Sequence, residues 1–569
     1  MGTAANSSEF LDLYTPKLWT ILKQGYGLAG LRADAVAGLT VAIVALPLSM
    51  AIAIASGVTP DRGLYASIFG GFIVSALGGS RFQIGGPAGA FIVLVAAAVA
   101  QHGVEGLLLA TLISGLMLIA MGLLRLGVFI KYIPYPVTVG FTAGIAVIIF
   151  ASQIKDLLGL RLDHEPGPLW PKLQAIGGAL PTFGVMAVVV AAVTVGVILL
   201  VRRLRPQWPS FLIAVAVATV LASGLQWPVD TIGSRFGGIP QTLPMPHWPA
   251  ITWDKVVAVL PTALAFTLLG CIESLLSAVV ADSMTGRRHR SNCELVAQGV
   301  ANVVTPLFGG ICVTGNIART ATNVRSGAHG PVAGMLHAVF LLLFVLVAAP
   351  VASYIPLAAL AGVLVIVAWN MVEKHAFMLL LRASWGDAIV LMVTFLLVIF
   401  RDLSEGILVG FACSTLLFLH RMSQAVSVEH HSPRVEDDVP DAVGEPSEDL
   451  DSRSPAANDP EIAVIRVTGA FFFGATAAVE SVLDRIADQP KAYIMDLSAV
   501  SLLDATAVAS IEGFAHKAKR RKARVYITAG TPAVRRTLVS HGIRGVRFCD
   551  DIHTATALAR RKLRQAAPA

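Results

Sequence analysis

From about residue 34 to residue 420, long apolar runs alternate with short polar loops. Runs of this length can cross the roughly 30 Å hydrocarbon core of a bilayer. They place spans near 34–56, 61–77, 105–124, 135–153, 178–201, 209–225, 256–281, 294–308, 331–350, 356–372, 387–401 and 404–420. A kink or break is expected at Pro47 inside the first span, and a polar, Pro-containing loop precedes residue 178.

Two further segments are apolar but interrupted: Gly78–Phe91, GGSRFQIGGPAGAF, and Gly309–Thr320, GGICVTGNIART. Pro87 suits a helix's first turn, where its missing N–H costs nothing. The run Pro87–Ala100 would then be about 21 Å of helix, a half-span. The second broken segment is expected over 313–327. Glycine-rich breaks can simply let helices pack closely. Two of them at corresponding places, each with an adjoining Arg (Arg81, Arg319), point instead to paired half-helices whose N–H groups and dipoles attract an anion.

Beyond residue 425 the pattern changes. Residues 426–460 are acidic and Pro-rich without an apolar run, which reads as a flexible linker. From Glu461 strands are expected at 462–467, 492–497 and 523–528, and helices at 477–488, 505–519, 532–540 and 552–562. That alternation predicts a small α/β domain over 461–569. The domains are therefore 1–33, an N-terminal lead-in; 34–425, the membrane part; 426–460, the linker; and 461–569.

Composition agrees: 55% of the 569 residues are hydrophobic, 14% are charged, and mean hydropathy is +0.72. The net charge of +7 is accounted for by loop positives such as Arg125, Arg202 and Arg287. These follow even-numbered segments, so both termini are expected in the cytoplasm. The charge is not a nucleic-acid signature. The same parity makes fourteen segments two sevens, the second inverted. Five Cys at 271, 293, 312, 413 and 549 have no paired spacing, so neither disulfides nor a metal site is expected. No nucleophile–base pair, phosphate loop or metal-ligand cluster is apparent, so neither an enzyme nor a cofactor is expected.

Glu273 lies mid-span in LLGCIESLLSAVV. A carboxylate there implies a task, and Glu273 is the candidate to load and release a proton; otherwise it pairs with Arg319 or a helix N-terminus. Ser277 shares its face. Arg319, one or two residues into the second half-helix, would pair with the anion or with Glu273, or else hold a carbonyl. Asn316 and Thr314 would cap that half-helix or face the substrate. His337 reads as a hydrogen-bonded packing residue. Glu294, Gln298 and Asn302 share one face and read as contacts between helices.

LPLSMAIAIASGVTPDRGLY (46–65), the first break, IESLLSAVVADSMTG (272–286), ELVAQGVANVVTPLFGG (294–310) and GNIART (315–320) resemble the SulP, or solute-carrier-26, anion transporters. MDLSAVSLLDA (495–505) resembles a STAS domain. The resemblance spans almost the full chain and is similar, above all, to a dicarboxylate-type bacterial inner-membrane member. It implies core and gate domains, elevator movement and a homodimer. The implied site is Leu48, Ser49 and Ile52; Gly86, Pro87, Ala88 and Gly89; Glu273 and Ser277; and Asn316, Ile317, Ala318 and Arg319. Sodium-coupled bicarbonate carriers of the family have Asp for Glu273 and Thr for Ile317, so the departures favour proton coupling. Ala88 and Ala318 replace larger or polar residues, which widens the pocket toward an organic dicarboxylate. At Ala505 some STAS relatives carry a phosphorylated Ser.

The function these features imply is proton-coupled symport of sulfate, a C4-dicarboxylate or bicarbonate. The partners implied are a small anion, a proton, membrane lipid and a cytoplasmic protein at the STAS domain. The rivals are a Na⁺–bicarbonate symporter, an uncoupled anion channel or STAS-based scaffold, and a nucleobase carrier.

Overall fold

The structure, a computed structural model, describes residues 13–127, 134–162, 166, 169–206, 208–401, 403–425, 427–431, 461–472, 476, 490–528, 531–543 and 545–565. The chain divides into two compact units, Met1–Phe411 and Ala412–Ala569.

The first unit is helical. Among the described residues eight helices are long and apolar enough to cross a membrane, including Leu28–Ala55, Tyr135–Leu158, Val185–Leu204 and Trp253–Thr285; Ser210–Gly224 and Trp385–Phe400 are shorter apolar helices. Their outer faces carry exposed Leu199, Leu200 and Val347. Such a surface suits hydrocarbon as its solvent. Leu28–Ala55 runs unbroken through Pro47, so no break occurs there. The next span does deviate: Pro60–Tyr65 passes through a π turn, Ala66–Gly70, into Gly71–Leu77.

The first half-helix begins later than Pro87 suggests. Ala88 is its N-cap, and one tight turn, Gly89–Phe91, leads into the helix from Ile92. Gly103, at φ 67° and ψ −176°, then separates this half-span from the span ending at Leu123. Only glycine occupies that conformation readily. The second half-helix is short, Ile317–Arg325. The expected Pro-containing loop includes a helix, Leu169–Ala179, and Lys374–Ala383 is another helix in a predicted loop. Both are short and amphipathic, so a search for long apolar runs passes over them.

Helices Ile92–Leu123 and Ser291–Leu307 touch backbone to backbone. A Cβ on Gly115 would fall 2.7 Å from the Gly299 carbonyl, and one on Gly299 would fall 2.6 Å from that of Gly115. The core around them runs through Met50, Phe91, Phe266 and Val313.

Two short strands, β1 Gly85–Gly86 and β2 Thr314–Gly315, belong to the first unit. The second unit holds a sheet of β3 Ser427–His431, β4 Ile462–Phe471, β5 Ala492–Asp496, β6 Val500–Leu503, β7 Arg524–Thr528 and β8 Val546–Cys549. Their order is β3-β4-β5-β7-β8, with β6 pairing β4. β4, β5, β7 and β8 pair in parallel, and β3 joins β4 antiparallel. β3 lies within the stretch expected to be linker: five residues from it extend the sheet. Residues 432–460 and the expected helix 477–488 lie outside the described residues. Helices Ala505–Arg520, Pro532–Ser540 and Ile552–Arg564 follow Asp504, Thr531 and Asp551, each of which caps its helix through its side chain. Val467, Ile511 and Ile527 centre the core on one face of the sheet, and Ile494 and Ala559 contribute to a second cluster.

Candidate functional site

The two glycine-rich breaks meet. Gly85–Gly86 (β1) and Thr314–Gly315 (β2) form a short antiparallel ladder, Gly85 opposite Gly315 and Gly86 opposite Thr314. Asn316 N–H extends the pairing to the Ile84 carbonyl at 2.9 Å. Both half-helices therefore start beside the same ladder. Asn316 is the N-cap of the second, its Oδ1 accepting from Arg319 N–H at 3.1 Å, and its Nδ2 reaches the Pro87 carbonyl at 3.5 Å. Among the described residues the N–H groups of Gly89 and Ala90, and of Ile317 and Ala318, have no hydrogen-bond partner. These are the free donors that a helix start leaves.

Arg319 is the third residue of its half-helix and is fully buried. Its Nη2 donates to Ser49 Oγ at 2.9 Å and its Nη1 to Ser67 Oγ at 3.0 Å. The two hydroxyls are 2.8 Å apart, and Ser49 donates in turn to the Ala45 carbonyl at 2.7 Å. The expected pairing with Glu273 does not occur: among the described residues Arg319 forms no ion pair, and its Nε has no partner. The guanidinium is thus a buried positive charge set behind the ladder. Ser67, on the π turn, was not legible as a site residue, because only a local rewinding of the helix aims it here; such turns recur at functional sites.

Glu273 is 7% exposed and has no hydrogen-bond partner among the described residues. Ser277 faces elsewhere: it donates to Thr320 Oγ1 at 3.0 Å, and that oxygen accepts from Ile84 N–H at 3.1 Å. It therefore ties the Trp253–Thr285 helix to both breaks. Thr314 likewise donates to the Gly270 carbonyl at 3.2 Å rather than facing outward. Leu48, Ile52 and Ala88 are buried, whereas Gly89 and Ile317 are partly exposed and Ala318 is exposed. Open space thus adjoins the two helix starts.

Glu294, Gln298 and Asn302 do more than join helices. Glu294 Oε2 accepts from Ser80 N–H at 2.9 Å at the entry to the first break. Asn302 exchanges two hydrogen bonds with Val313, both 2.8 Å, and Gln298 donates to the Val313 carbonyl at 2.6 Å. One helix face, read at i, i+4 and i+8, thus fixes both interruptions. Asn323 adds a bond to the Phe82 carbonyl at 2.9 Å, and Arg62 reaches the Gly309 carbonyl at 2.8 Å. His337 is buried and packs close to Gly38 and Gly71.

Residues 31–394 match the sulfate permease family and residues 454–555 the STAS domain. A Bacillus subtilis (strain 168) protein, the candidate sulfate transporter YvdB, is 40% identical over 507 residues, covering 89% of this chain and 92% of that one. The bicarbonate transporter BicA of Synechocystis sp. is 31% identical over 89% of this chain and 90% of that one. Among solved structures, the transmembrane domain of a cyanobacterial BicA aligns with TM-score 0.60 at 31% identity, over 68% of this chain and 98% of that one. SLC26A9 aligns with TM-score 0.84 at 18% identity, over 99% of this chain and 95% of that one, a likeness of fold.

Proposed function

Because this membrane protein belongs to the sulfate permease family, we propose that it is a secondary active anion transporter, proton-coupled and working by an elevator movement. The observation that carries this reading is the β1–β2 ladder, which starts two half-helices side by side with unpaired N–H groups. An anion resting there takes hydrogen bonds from both starts and neutralises two dipole ends at once. The Arg319 charge behind the ladder adds attraction without touching the substrate. Glu273, buried and without a hydrogen-bond partner among the described residues, is the proton carrier.

The relatives' names support sulfate or bicarbonate as the anion, and small Ala88 and Ala318 support an organic dicarboxylate. Movement is favoured by what faces the first helix start. The atoms nearest to a Cβ on Gly89 would be Met371 Sδ, Ile149 Cδ1 and Val367 Cγ1, at 3.5–3.9 Å. Apolar contacts of this kind can slide with no directional bond to break. We assign the chain to the bacterial inner membrane as a homodimer with cytoplasmic termini. Residues 34–425 form the transport domain, arranged as two inverted sevens, and 461–569 the STAS domain.

The test is uptake of labelled sulfate, bicarbonate and fumarate into proteoliposomes, with and without an inward proton gradient, for wild type and Glu273→Gln. The expected result is gradient-driven uptake of one anion that the substitution abolishes while binding persists. Uptake indifferent to both gradient and substitution overturns proton coupling through Glu273. Uptake of bicarbonate that requires Na⁺ moves the reading to a sodium–bicarbonate symporter.

A further inference from the structure

The short helix Lys17–Lys23 lies against the entry to the first break. Lys17 N–H donates to the Gly78 carbonyl at 3.0 Å and Arg290 N–H to the Gly79 carbonyl at 3.0 Å. Arg290 Nη1 reaches back to the Thr15 carbonyl at 2.7 Å and to Thr20 Oγ1 at 3.2 Å, and Arg81 Nη2 to Gln24 Oε1 at 2.7 Å. These bonds hold Lys17, Arg81 and Arg290 around one loop, with Arg287 beside them. Among the described residues none of the four forms an ion pair. The neighbouring acid, Asp282, is occupied by His289, which meets its Oδ2 through Nδ1 at 2.6 Å and through its backbone N–H at 3.0 Å. Burial, then Arg290 and Arg81, hold the Lys17 ammonium below its ordinary value. The cluster holds four positive charges around one loop, more than the neighbouring Asp282 and Glu294 carboxylates balance.

A second observation indicates where the counter-charge comes from. Ile21 docks the helix inward at 2% exposure, while Trp19 at 56% and Leu22 at 48% stand out from it. Lys23 Nζ lies 5.6 Å from the Trp19 ring centroid. An outward Trp and Leu flanked by lysines is the pattern of a helix lying in a membrane interface.

We propose that Lys17, Arg81, Arg287 and Arg290 bind the phosphate of an anionic phospholipid, with Trp19 and Leu22 resting against its acyl chains. The lipid supplies the balancing negative charge and braces the Gly78–Arg81 loop that opens the first break. Its occupancy thereby links leaflet composition to the rigidity of the anion site.

The test uses the full chain in nanodiscs of phosphatidylcholine alone or mixed with phosphatidylglycerol, read by unfolding temperature and by native mass spectrometry of retained lipid. Wild type is expected to unfold at a higher temperature with phosphatidylglycerol and to retain it. At about 1 kcal/mol per interfacial cation, Lys17→Gln with Arg287→Gln weakens phosphatidylglycerol binding roughly 30-fold. If that pair fails to fold, Arg287→Gln alone, whose side chain makes no hydrogen bond among the described residues, weakens it about fivefold. An equal preference in wild type and variant overturns the proposal. So does equal stabilisation by glycerol phosphate added to phosphatidylcholine discs, which would mark a site for a soluble anion.

Discussion

Gly86 lies against the guanidinium of Arg319. A Cβ at position 86 would come within 2.3 Å of Nη1 and 3.2 Å of Ser67 Oγ. The glycine is there because the buried Arg319 guanidinium and the Ser67 hydroxyl occupy the volume a side chain would need. Gly86→Ala must push the guanidinium off both hydroxyls, an overpacking change that costs about 1–3 kcal/mol. The expected outcome is a lower unfolding temperature together with loss of anion uptake. Gly177→Ala, where an added Cβ meets nothing within 4 Å, should change neither.

Ser49 and Ser67 share one task. Each accepts from Arg319, and their oxygens are 2.8 Å apart. Ser49→Ala or Ser67→Ala leaves a buried charged donor with one acceptor fewer, at a cost of about 1–3 kcal/mol. Because the three groups form one network, the double substitution should differ from the sum of the singles by more than about 0.5 kcal/mol. Denaturation midpoints of the four proteins in detergent would measure this, and strict additivity would show the serines to act independently. Arg319→Lys should not rescue the site, since a single ammonium lacks the fork that spans both hydroxyls.

Asp34 caps a helix from across the molecule. Its Oδ1 accepts from His329 N–H at 2.6 Å and Gly330 N–H at 2.9 Å, and its Oδ2 accepts from Tyr26 at 2.7 Å. The bonded N–H groups immediately precede the Val332–Ala352 helix. Asp34→Ala leaves these donors unpaired and should destabilise the protein by about 1–3 kcal/mol. Faster amide exchange at 329 and 330 is the specific readout, and unchanged exchange there would remove the capping role.

In the second unit Asp496 links three strands. It accepts from Arg466 at 2.9 Å, Thr528 at 2.8 Å and Ser498 N–H at 3.0 Å. Burial opposes its ionisation, but the hydrogen bonds from Ser498, Thr528 and Arg466 outweigh it and hold the carboxyl below its usual value. A depressed folded-state value contributes stability that is present above the unfolded value of about 3.9 and is lost as pH falls through the folded value. The unit should therefore lose stability on acidification below about pH 4, and Asp496→Asn should flatten that part of the profile while lowering stability at neutral pH. Thermal scans of the full chain across pH 2–7, followed by strand-specific amide exchange, give the comparison.

The membrane spans, the two interruptions, the Asn316 cap and, in the second unit, strands β4, β5 and β7 with helices Ala505–Arg520, Pro532–Ser540 and Ile552–Arg564 were legible along the chain, whereas β3, β6 and β8 were not. Each is a local consequence: an apolar run long enough for hydrocarbon, glycines that stop a helix, a short polar side chain at a helix start, alternation that fits a buried strand. Local pattern also located Glu273 and Arg319, because ionisable groups inside apolar runs stand out. It did not show what they touch. The ladder joins Gly85 to Gly315, and Arg319 finds Ser49 and Ser67 on two other helices. Contacts between residues so far apart in sequence depend on how helices cross and on a π turn that rotates Ser67 inward. The same reason separates Ser277, which the structure spends on Thr320, from Glu273 four residues earlier. A one-dimensional pattern reports which side chains are costly to bury; the partners that make burial tolerable are chosen by packing in three dimensions.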